Sequence, residues 1–316
     1  MQTIELTHPY KKECILQEPI VLALGFFDGI HLGHKEVITT AKRVGQERDY
    51  KVAVMSFNQH PSVIFQNVDP ASIQYVSPLK RKKELLEELG VDIFYLVDFT
   101  KEFGALTPQE FVDQYIVGLN AKVIVAGFDY TYGKRDIANM ELLPKYASNR
   151  FEIITISEQK NDSGKISSTA VRDLLQEGRI EEANKLLGYD YMKDGVVVHG
   201  FGRGSKMLGY PTANIEVSND TFLLKNGVYV VEMLVEGQWL PGMASIGINP
   251  TFDDVHKVTI EVNLLDFDKD IYHLPVRVKW LKYLRPELKF DGIEALIDQL
   301  KQDEENTRNY FKAKRG

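Results

Sequence analysis

The chain has 316 residues, of which 44% are hydrophobic and 26% charged, and its formal net charge is −7. This composition excludes a disordered chain, a collagen-like repeat and a coiled coil, and the length corresponds to about two domains. The acidic charge argues against a nucleic-acid-binding surface. No apolar run approaches the roughly 18 residues of a membrane helix, we expect no signal peptide, and the single cysteine, Cys14, excludes an internal disulfide and a thiolate zinc site. We therefore expect a cytoplasmic protein without a membrane partner.

The first half of the chain alternates strand-like and helix-like patterns. Strands that alternate with helices of this length predict a parallel sheet with helices on its faces. The lysine-rich run 80–83 and the glutamates after it are predicted to form a solvated helix face. Strands are predicted at 19–25, 51–57, 91–97, 122–127 and 151–156, and helices at 31–48, 79–89, 107–119 and 168–187.

From about residue 194 the chain changes to short β-branched runs separated by glycine and proline. Such runs predict an all-β barrel or sandwich. Helical periodicity returns from 292 to about 311, and the change of character near 188–193 predicts two domains, 1–187 and 188–316. Strands are predicted at 195–199, 227–236, 239–246, 257–265 and 275–284.

Residues 25–34 read Gly-Phe-Phe-Asp-Gly-Ile-His-Leu-Gly-His and join a buried strand to a helix. The free N–H groups and the dipole of a helix start favour an anion. Because His31 and His34 are three residues apart, they share one helix face and can contact one polyphosphate. The alternative, two surface histidines at an ordinary helix start, is disfavoured by the glycines at 25, 29 and 33, which allow a sharp turn and a close ligand. A Walker A loop and a dinucleotide-binding fingerprint are both absent from the sequence.

A second motif, Ile-Ser-Ser-Thr-Ala-Val-Arg at 166–172, follows the fifth predicted strand. Its hydroxyls can cap a helix and bond phosphate oxygens, and Arg172 supplies a fixed cation. Taken alone, the motif is explained equally well as an N-cap. The His-x-Gly-His string at 31–34 resembles nucleotidyltransferases and also class I aminoacyl-tRNA synthetases, but the Lys-Met-Ser-Lys-Ser loop of the synthetases is missing.

With further matching strings in both halves, the chain resembles the bacterial bifunctional riboflavin kinase/FMN adenylyltransferases over almost its whole length. The resemblance implies an α/β, Rossmann-like nucleotidyltransferase domain that transfers AMP from ATP to FMN and releases pyrophosphate. It also implies a riboflavin kinase domain, a six-stranded β-barrel with a terminal helix. The further strings lie at 57–61, 99–100, 127–133, 198–200, 208–214, 227–229, 249–252, 261–267 and 285–290.

The resemblance also implies residue roles, with riboflavin, FMN and ATP as substrates and Mg²⁺ as cofactor; it leaves the oligomeric state open. In the first domain ATP is expected at Gly25, Phe27, His31, His34, Asp129, Ser168, Thr169 and Arg172, and the flavin at Phe57, Pro61 and Tyr130. In the second domain ATP is expected at Gly200, Gly204, Lys206, Gly209, Pro211, Thr212 and Asn214, of which Thr212 and Asn214 organise Mg²⁺. The catalytic set is His31, His34 and Arg172 for adenylyl transfer and Glu261, as the base, for the kinase.

Without the resemblance several of these residues have plainer interpretations. Apolar and polar residues alternate in the predicted strand that contains Glu261, and this pattern shows only that Glu261 lies on the non-core face. The segment 211–214 is interpreted as a turn. The family commonly has arginine where Lys206 stands, and lysine lacks its forked donors. Two other functions also stay open: a flavin-binding regulator without turnover, and a kinase whose N-terminal half is a scaffold.

Overall fold

The computed structural model describes residues 1–161, 164–199, 209–249 and 257–315. They form two compact units, Met1–Ser168 and Thr169–Gly316, which we treat separately. The predicted glycine-loop residues Gly200, Gly204 and Lys206 lie outside the described residues.

The first unit is built on a six-stranded, entirely parallel sheet with the strand order β1-β4-β3-β2-β5-β6. Its strands are β1 (Gln2–Leu6), β2 (Ile20–Leu24), β3 (Lys51–Phe57), β4 (Ile93–Val97), β5 (Ala121–Gly127) and β6 (Glu152–Ile156). Its helices are α1 (Leu32–Arg48), α2 (Ser62–Phe65), α3 (Leu79–Glu88), α4 (Lys101–Gly104), α5 (Pro108–Phe111) and α6 (Leu143–Ala147). A short ribbon pairs β7 (Lys160–Asn161) with β8 (Gly164–Lys165).

The parallel sheet confirms the α/β fold that the sequence predicts for this half. The central strand β2 is buried at all five positions, as expected of a strand covered on both faces. The sequence missed β1, an edge strand with only one fully buried residue, Leu6. The helix predicted at 107–119 begins at a capping box formed by Thr107 and Glu110, and it continues as a π-helix over Val112–Val117.

The strand order predicts a ligand-binding crevice beside β2. From β2 the chain builds outward on one side through β3 and β4, whereas β5 and β6 lie on its other side. In open α/β sheets, ligands bind in the crevice at the carboxyl ends of the strands where the order reverses. The segments that follow β2 and β5 therefore meet at this crevice.

The second unit is a closed six-stranded antiparallel barrel with the order β10-β13-β12-β11-β14-β9. The sequence pattern missed β10 because its first residues were interpreted as a turn, but the six-stranded barrel that the resemblance implies is confirmed. The strands are β9 (Tyr191–Val198), β10 (Ala213–Val217), β11 (Gly227–Val235), β12 (Gln238–Asn249), β13 (Lys257–Leu264) and β14 (Pro275–Arg285). The helices are α7 (Ser168–Glu177), α8 (Ile180–Leu187) and α9 (Ile293–Arg315).

The two compact units divide after Ser168, and the domain boundary between 187 and 188 stays a prediction. The predicted helix 168–187 is broken at Gly178, whose φ of +80° ends α7. The helix α8 packs on the barrel, where the Asn184 amide donates to the carbonyl of Trp280 (2.9 Å) and accepts from the backbone N–H of Tyr191 (2.8 Å). These contacts join α8 to β9 and β14.

The barrel encloses a lysine. Lys193 on β9 is 2% exposed, and its Nζ has no hydrogen-bond partner within the described part of the chain. The Nζ lies 5.8 Å from the centroid of the Trp280 ring. Burial lowers the pKa of Lys193 from 10.5 to about 7.

We expect Lys193→Met to stabilise the barrel at and below neutral pH. Between pH 7 and 10.5 the unfolded state binds a proton that the native state lacks, so the free energy of unfolding of the parent protein rises with pH in this window. The full destabilisation caused by burying the charged lysine is present below pH 7. It amounts to about 1.4 kcal/mol for each unit of difference between the native and the unfolded pKa. Urea unfolding followed by tryptophan fluorescence measures this unit alone, because both tryptophans, Trp239 and Trp280, lie in the barrel.

The matched control is Lys185→Met, which removes an exposed lysine from α8. It should leave the pH dependence of unfolding unchanged. If the difference in stability between the parent and the Lys193→Met variant were the same at pH 7 and at pH 10, the lysine would not be neutral in the native barrel.

Candidate active sites

A cavity of about 250 Å³ lies at the crevice of the first unit. Four segments distant in sequence line it: the turn after β2 with the start of α1, the turn after β5, the residues that follow β6, and the segment 165–168. The first, second and fourth of these segments contribute predicted ATP residues, namely Gly25, Phe27, His31, His34, Asp129 and Ser168, together with the predicted flavin residue Tyr130.

The turn after β2 has a strained backbone. Phe27 (φ 56°) and Ile30 (φ 37°) adopt positive φ, a conformation that costs side-chain-bearing residues about 1–3 kcal/mol each. The ring of Phe27 folds back onto Gly25, where a Cβ would lie 2.8 Å from it. Glycine at position 25 is therefore required by the packing of the turn.

Hydrogen bonds from outside the turn hold it in place. The buried carboxylate of Asp28 accepts from the backbone N–H groups of Ser77 (2.9 Å) and Val76 (3.2 Å). The N–H of Gly29 donates to the Ser77 hydroxyl (2.6 Å), and the Ser168 hydroxyl donates to the carbonyl of Asp28 (2.8 Å). The hydrogen bond of Ser168 thus connects the motif at 166–172 to the motif at 25–34.

The two histidines form a stacked pair at the start of α1. Their ring centroids are 3.7 Å apart, and Nδ1 of His31 accepts from the backbone N–H of His34 (3.3 Å), which caps the helix. Burial lowers the pKa of His31 to about 4. Burial, and then the charges of His31 and Lys82, hold the pKa of His34 well below its ordinary value. Both imidazoles are therefore neutral at pH 7 and face a ligand as hydrogen-bonding groups.

The predicted ATP residue Asp129 forms an ion pair at the cavity with Lys165, which the sequence did not single out. Lys165 on β8 places its Nζ 2.8 Å from a carboxylate oxygen of Asp129 and 4.9 Å from the centroid of the Phe128 ring. Both charges act on the pKa of His31, which Asp129 raises and Lys165 lowers. A charged pair in hydrogen-bonding contact within a cavity can open to accept a charged ligand.

The other predicted residues of this site lie elsewhere in the chain. Phe57 packs edge to face against Phe99 in the core (4.9 Å between centroids), and Pro61 is the N-cap residue just before α2; neither is among the residues that line the cavity. Their contacts with a flavin stay predictions. Thr169 and Arg172 lie in α7 but belong to the second unit, so their role at this cavity also stays a prediction.

The predicted solvated face at 80–83 is wrong at Lys82. Lys82 is 3% exposed, because it lies three residues after Leu79 and four before Leu86 and so falls on the apolar stripe of α3. That spacing was visible in the sequence, but the lysine-rich composition of the run obscured it.

Two cavities among the described residues of the second unit share Thr212. One, of about 400 Å³, lies between Pro211–Ala213 and the segment after β13. The other, of about 280 Å³, contains Ser245, Glu261 and Asn263 from the barrel strands and Arg285 from the end of β14. The Thr212 hydroxyl donates to a carboxylate oxygen of Glu261 (3.2 Å), at the junction of the two cavities.

The neighbours of Glu261 are oxygen-rich. Glu261 on β13 stands directly opposite Asn214 on β10 and Ser245 on β12, and directly opposed residues of antiparallel strands share a face of the sheet. Thr212 is held nearby, because the Asn263 amide donates to the carbonyl of Pro211 (2.8 Å). Within the described ranges no group of three or more His, Cys, Asp or Glu residues could hold a metal ion. Hydroxyl, amide and carboxylate oxygens do suit Mg²⁺ that is also held by substrate phosphates.

A buried ion pair anchors the terminal helix at the smaller cavity. The Arg285 guanidinium donates to both carboxylate oxygens of Asp303 (2.7–3.0 Å), which is almost fully buried on α9. Leu296 and Leu300 of the same helix complete the cavity wall. The sequence marked Arg285 only as part of a matching string, since its partner lies on another element.

Two family models match this chain, one in each half. A model described as FAD synthetase matches residues 14–170, and one described as riboflavin kinase matches residues 187–311. Two relatives named bifunctional riboflavin kinase/FMN adenylyltransferase cover 98% of this chain and 98% of their own length. They come from Listeria monocytogenes, at 48% identity over 311 residues, and from Bacillus subtilis, at 40% identity over 314 residues.

A solved structure from Streptococcus pneumoniae, described as a macrolide-efflux protein, also matches. Its TM-score is 0.89 at 39% identity, over 97% of this chain and 99% of that chain. Among the residues that the structure describes here, no helix is long and apolar enough to cross a membrane.

Proposed function

The chain belongs to the bifunctional riboflavin kinase/FMN adenylyltransferase family, and we propose that its two reactions take place in the cavities described above. The enzyme phosphorylates riboflavin to FMN with its C-terminal module and adenylylates FMN to FAD, with release of pyrophosphate, with its N-terminal module. One observation carries the assignment of the first site: predicted ATP residues from three distant segments line one cavity at the sheet crevice.

In the first unit the 250 Å³ cavity holds ATP. A phosphate oxygen of FMN attacks the α-phosphorus, the bond to the β-phosphate oxygen breaks, and pyrophosphate leaves. The attacking oxygen is already ionised at neutral pH, so the site needs positioning and charge stabilisation rather than a base. Neutral His31 and His34 donate hydrogen bonds to the phosphates.

In the second unit the two cavities hold the two substrates. We assign the larger to the nucleotide and the smaller, closed by α9, to riboflavin, because Thr212 and Glu261 meet where they join. The 5′-hydroxyl of riboflavin is not ionised, so Glu261 accepts its proton as the oxygen attacks the γ-phosphorus and ADP leaves. Gly209, with a φ of 77°, and Pro211, which lines the larger cavity, lie just before Thr212 in the chain.

The oxygens of Thr212 and Asn214 would hold Mg²⁺ together with the ATP phosphates. Bound there, the ion would neutralise charge that develops on the transferring phosphoryl group. We also propose that the enzyme works in the cytoplasm, since ATP is the donor at both sites.

The direct test is to incubate the pure protein with riboflavin and Mg·ATP and to separate the flavins by chromatography. FMN should appear first and FAD after it. FMN alone would mean that the N-terminal half is only a scaffold, and no product would mean that the chain is a flavin-binding regulator. Omitting Mg²⁺ in the presence of a chelator should stop both steps.

A further inference from the structure

Lys82 is a buried cation beneath the turn that carries His31 and His34. Its Nζ donates to the carbonyl oxygen of Phe26 (2.7 Å) and lies 4.2 Å from the centroid of the Phe26 ring. The Ser56 hydroxyl donates to the same carbonyl (2.7 Å). Burying an ammonium group is costly, and a methionine at this position would fill the space without that cost. The mechanism described above does not use Lys82.

The Phe26 carbonyl is where the strained turn begins. The next residue, Phe27, is the first of the turn to adopt positive φ, and such a conformation persists only where its surroundings fix it. Lys82 and Ser56 fix this end, whereas Ser77 fixes the other end through Asp28 and Gly29. Both ends are therefore held by residues outside the turn.

The charge of Lys82 also acts on the histidine pair. It contributes, after burial and His31, to lowering the pKa of His34, whose Nδ1 is buried without a hydrogen-bond partner among the described residues. Asp28 faces Lys82 and raises its pKa, although burial lowers that pKa overall to about 8. On the far side of the cavity, the pair formed by Asp129 and Lys165 faces His31.

We propose that Lys82 is a positioning residue for adenylyl transfer, which fixes the Phe26 carbonyl and thereby the turn that presents His31 and His34 to the ATP phosphates. Its charge adds to the burial that keeps the His34 imidazole neutral. The inference rests on the proposed function, because it requires that His31 and His34 contact those phosphates. A merely structural lysine would hold the turn but would not set the protonation of His34.

The test is Lys82→Met in the full chain, assayed for FAD formation from FMN and Mg·ATP across pH. We expect kcat to fall about tenfold to hundredfold, since small displacements of positioning groups have effects of this size. The acid limb of the pH profile should move to higher pH, because removing a nearby positive charge raises the pKa of His34. Ser56→Ala removes a donor but no charge, so it should lower kcat and leave the acid limb in place.

Riboflavin phosphorylation by the same preparation reports whether the chain is otherwise intact, and Lys80→Met, an exposed neighbour on α3, is the matched control. Wild-type kcat or an unmoved acid limb in Lys82→Met overturns the proposal. If Lys82→Met loses the fold of the first unit, the proposal is tested with Ser56→Ala instead. A wild-type kcat for Ser56→Ala also overturns the proposal. Wild-type adenylylation by His34→Ala would instead refute the assignment of the cavity itself.

Discussion

His31→Ala should lower FAD formation from FMN by about 10²–10³-fold, the usual cost of losing one preorganised donor to a developing charge. Riboflavin phosphorylation should be unchanged, because His31 lines a cavity of the first unit and Glu261 lies in the barrel of the second. The two activities are measured on one preparation, with FMN supplied directly for the first and riboflavin for the second.

The imidazole of His31 must be separated from its role as a helix cap. The alanine variant also loses the acceptor for the N–H of His34, at a cost of about 1 kcal/mol in stability. His31→Asn keeps a good capping group but not the Nε2 donor, so it should be nearly as inactive as the alanine variant. His8→Ala is the control in the same unit. If His31→Asn formed FAD at the wild-type rate, the only role of His31 would be to cap helix α1.

Most of the fold followed from hydrophobic patterns in the sequence. The buried parallel strands were predicted because they are continuous apolar runs, and β3 was predicted with its observed bounds, Lys51–Phe57. β1 and β10 were missed because neither has such a run. Ala213–Val217 includes Asn214 and Glu216, and it becomes a strand only through its pairing with β9 and β13. That pairing is tertiary, and no local signal encodes it.

Local sequence motifs also predicted part of the candidate sites, whereas contacts between distant residues were missed. His31, His34 and Ser168 could be predicted because each belongs to a short motif at a helix start. The burial of Lys82 could have been predicted from its spacing in α3, but its contact with Phe26 could not. The same holds for the contact of Lys165 with Asp129, because in both pairs the partner lies far away in the chain.

Glu261→Gln should reduce riboflavin phosphorylation by about 10²-fold, the lower end of the usual contribution of a general base, because phosphoryl transfer depends mainly on position and charge. Glutamine keeps the shape and can still accept from Thr212, but it cannot take the proton of the 5′-hydroxyl. The apparent affinity for riboflavin should therefore change less than kcat, and adenylylation of supplied FMN should persist. Glu232→Gln, a barrel glutamate whose carboxylate lies 3.7 Å from Nζ of Lys279, is the matched control. Wild-type turnover by Glu261→Gln, with chemistry rate-limiting, would mean that another group is the base and that the contact between Thr212 and Glu261 only orders the junction of the two cavities.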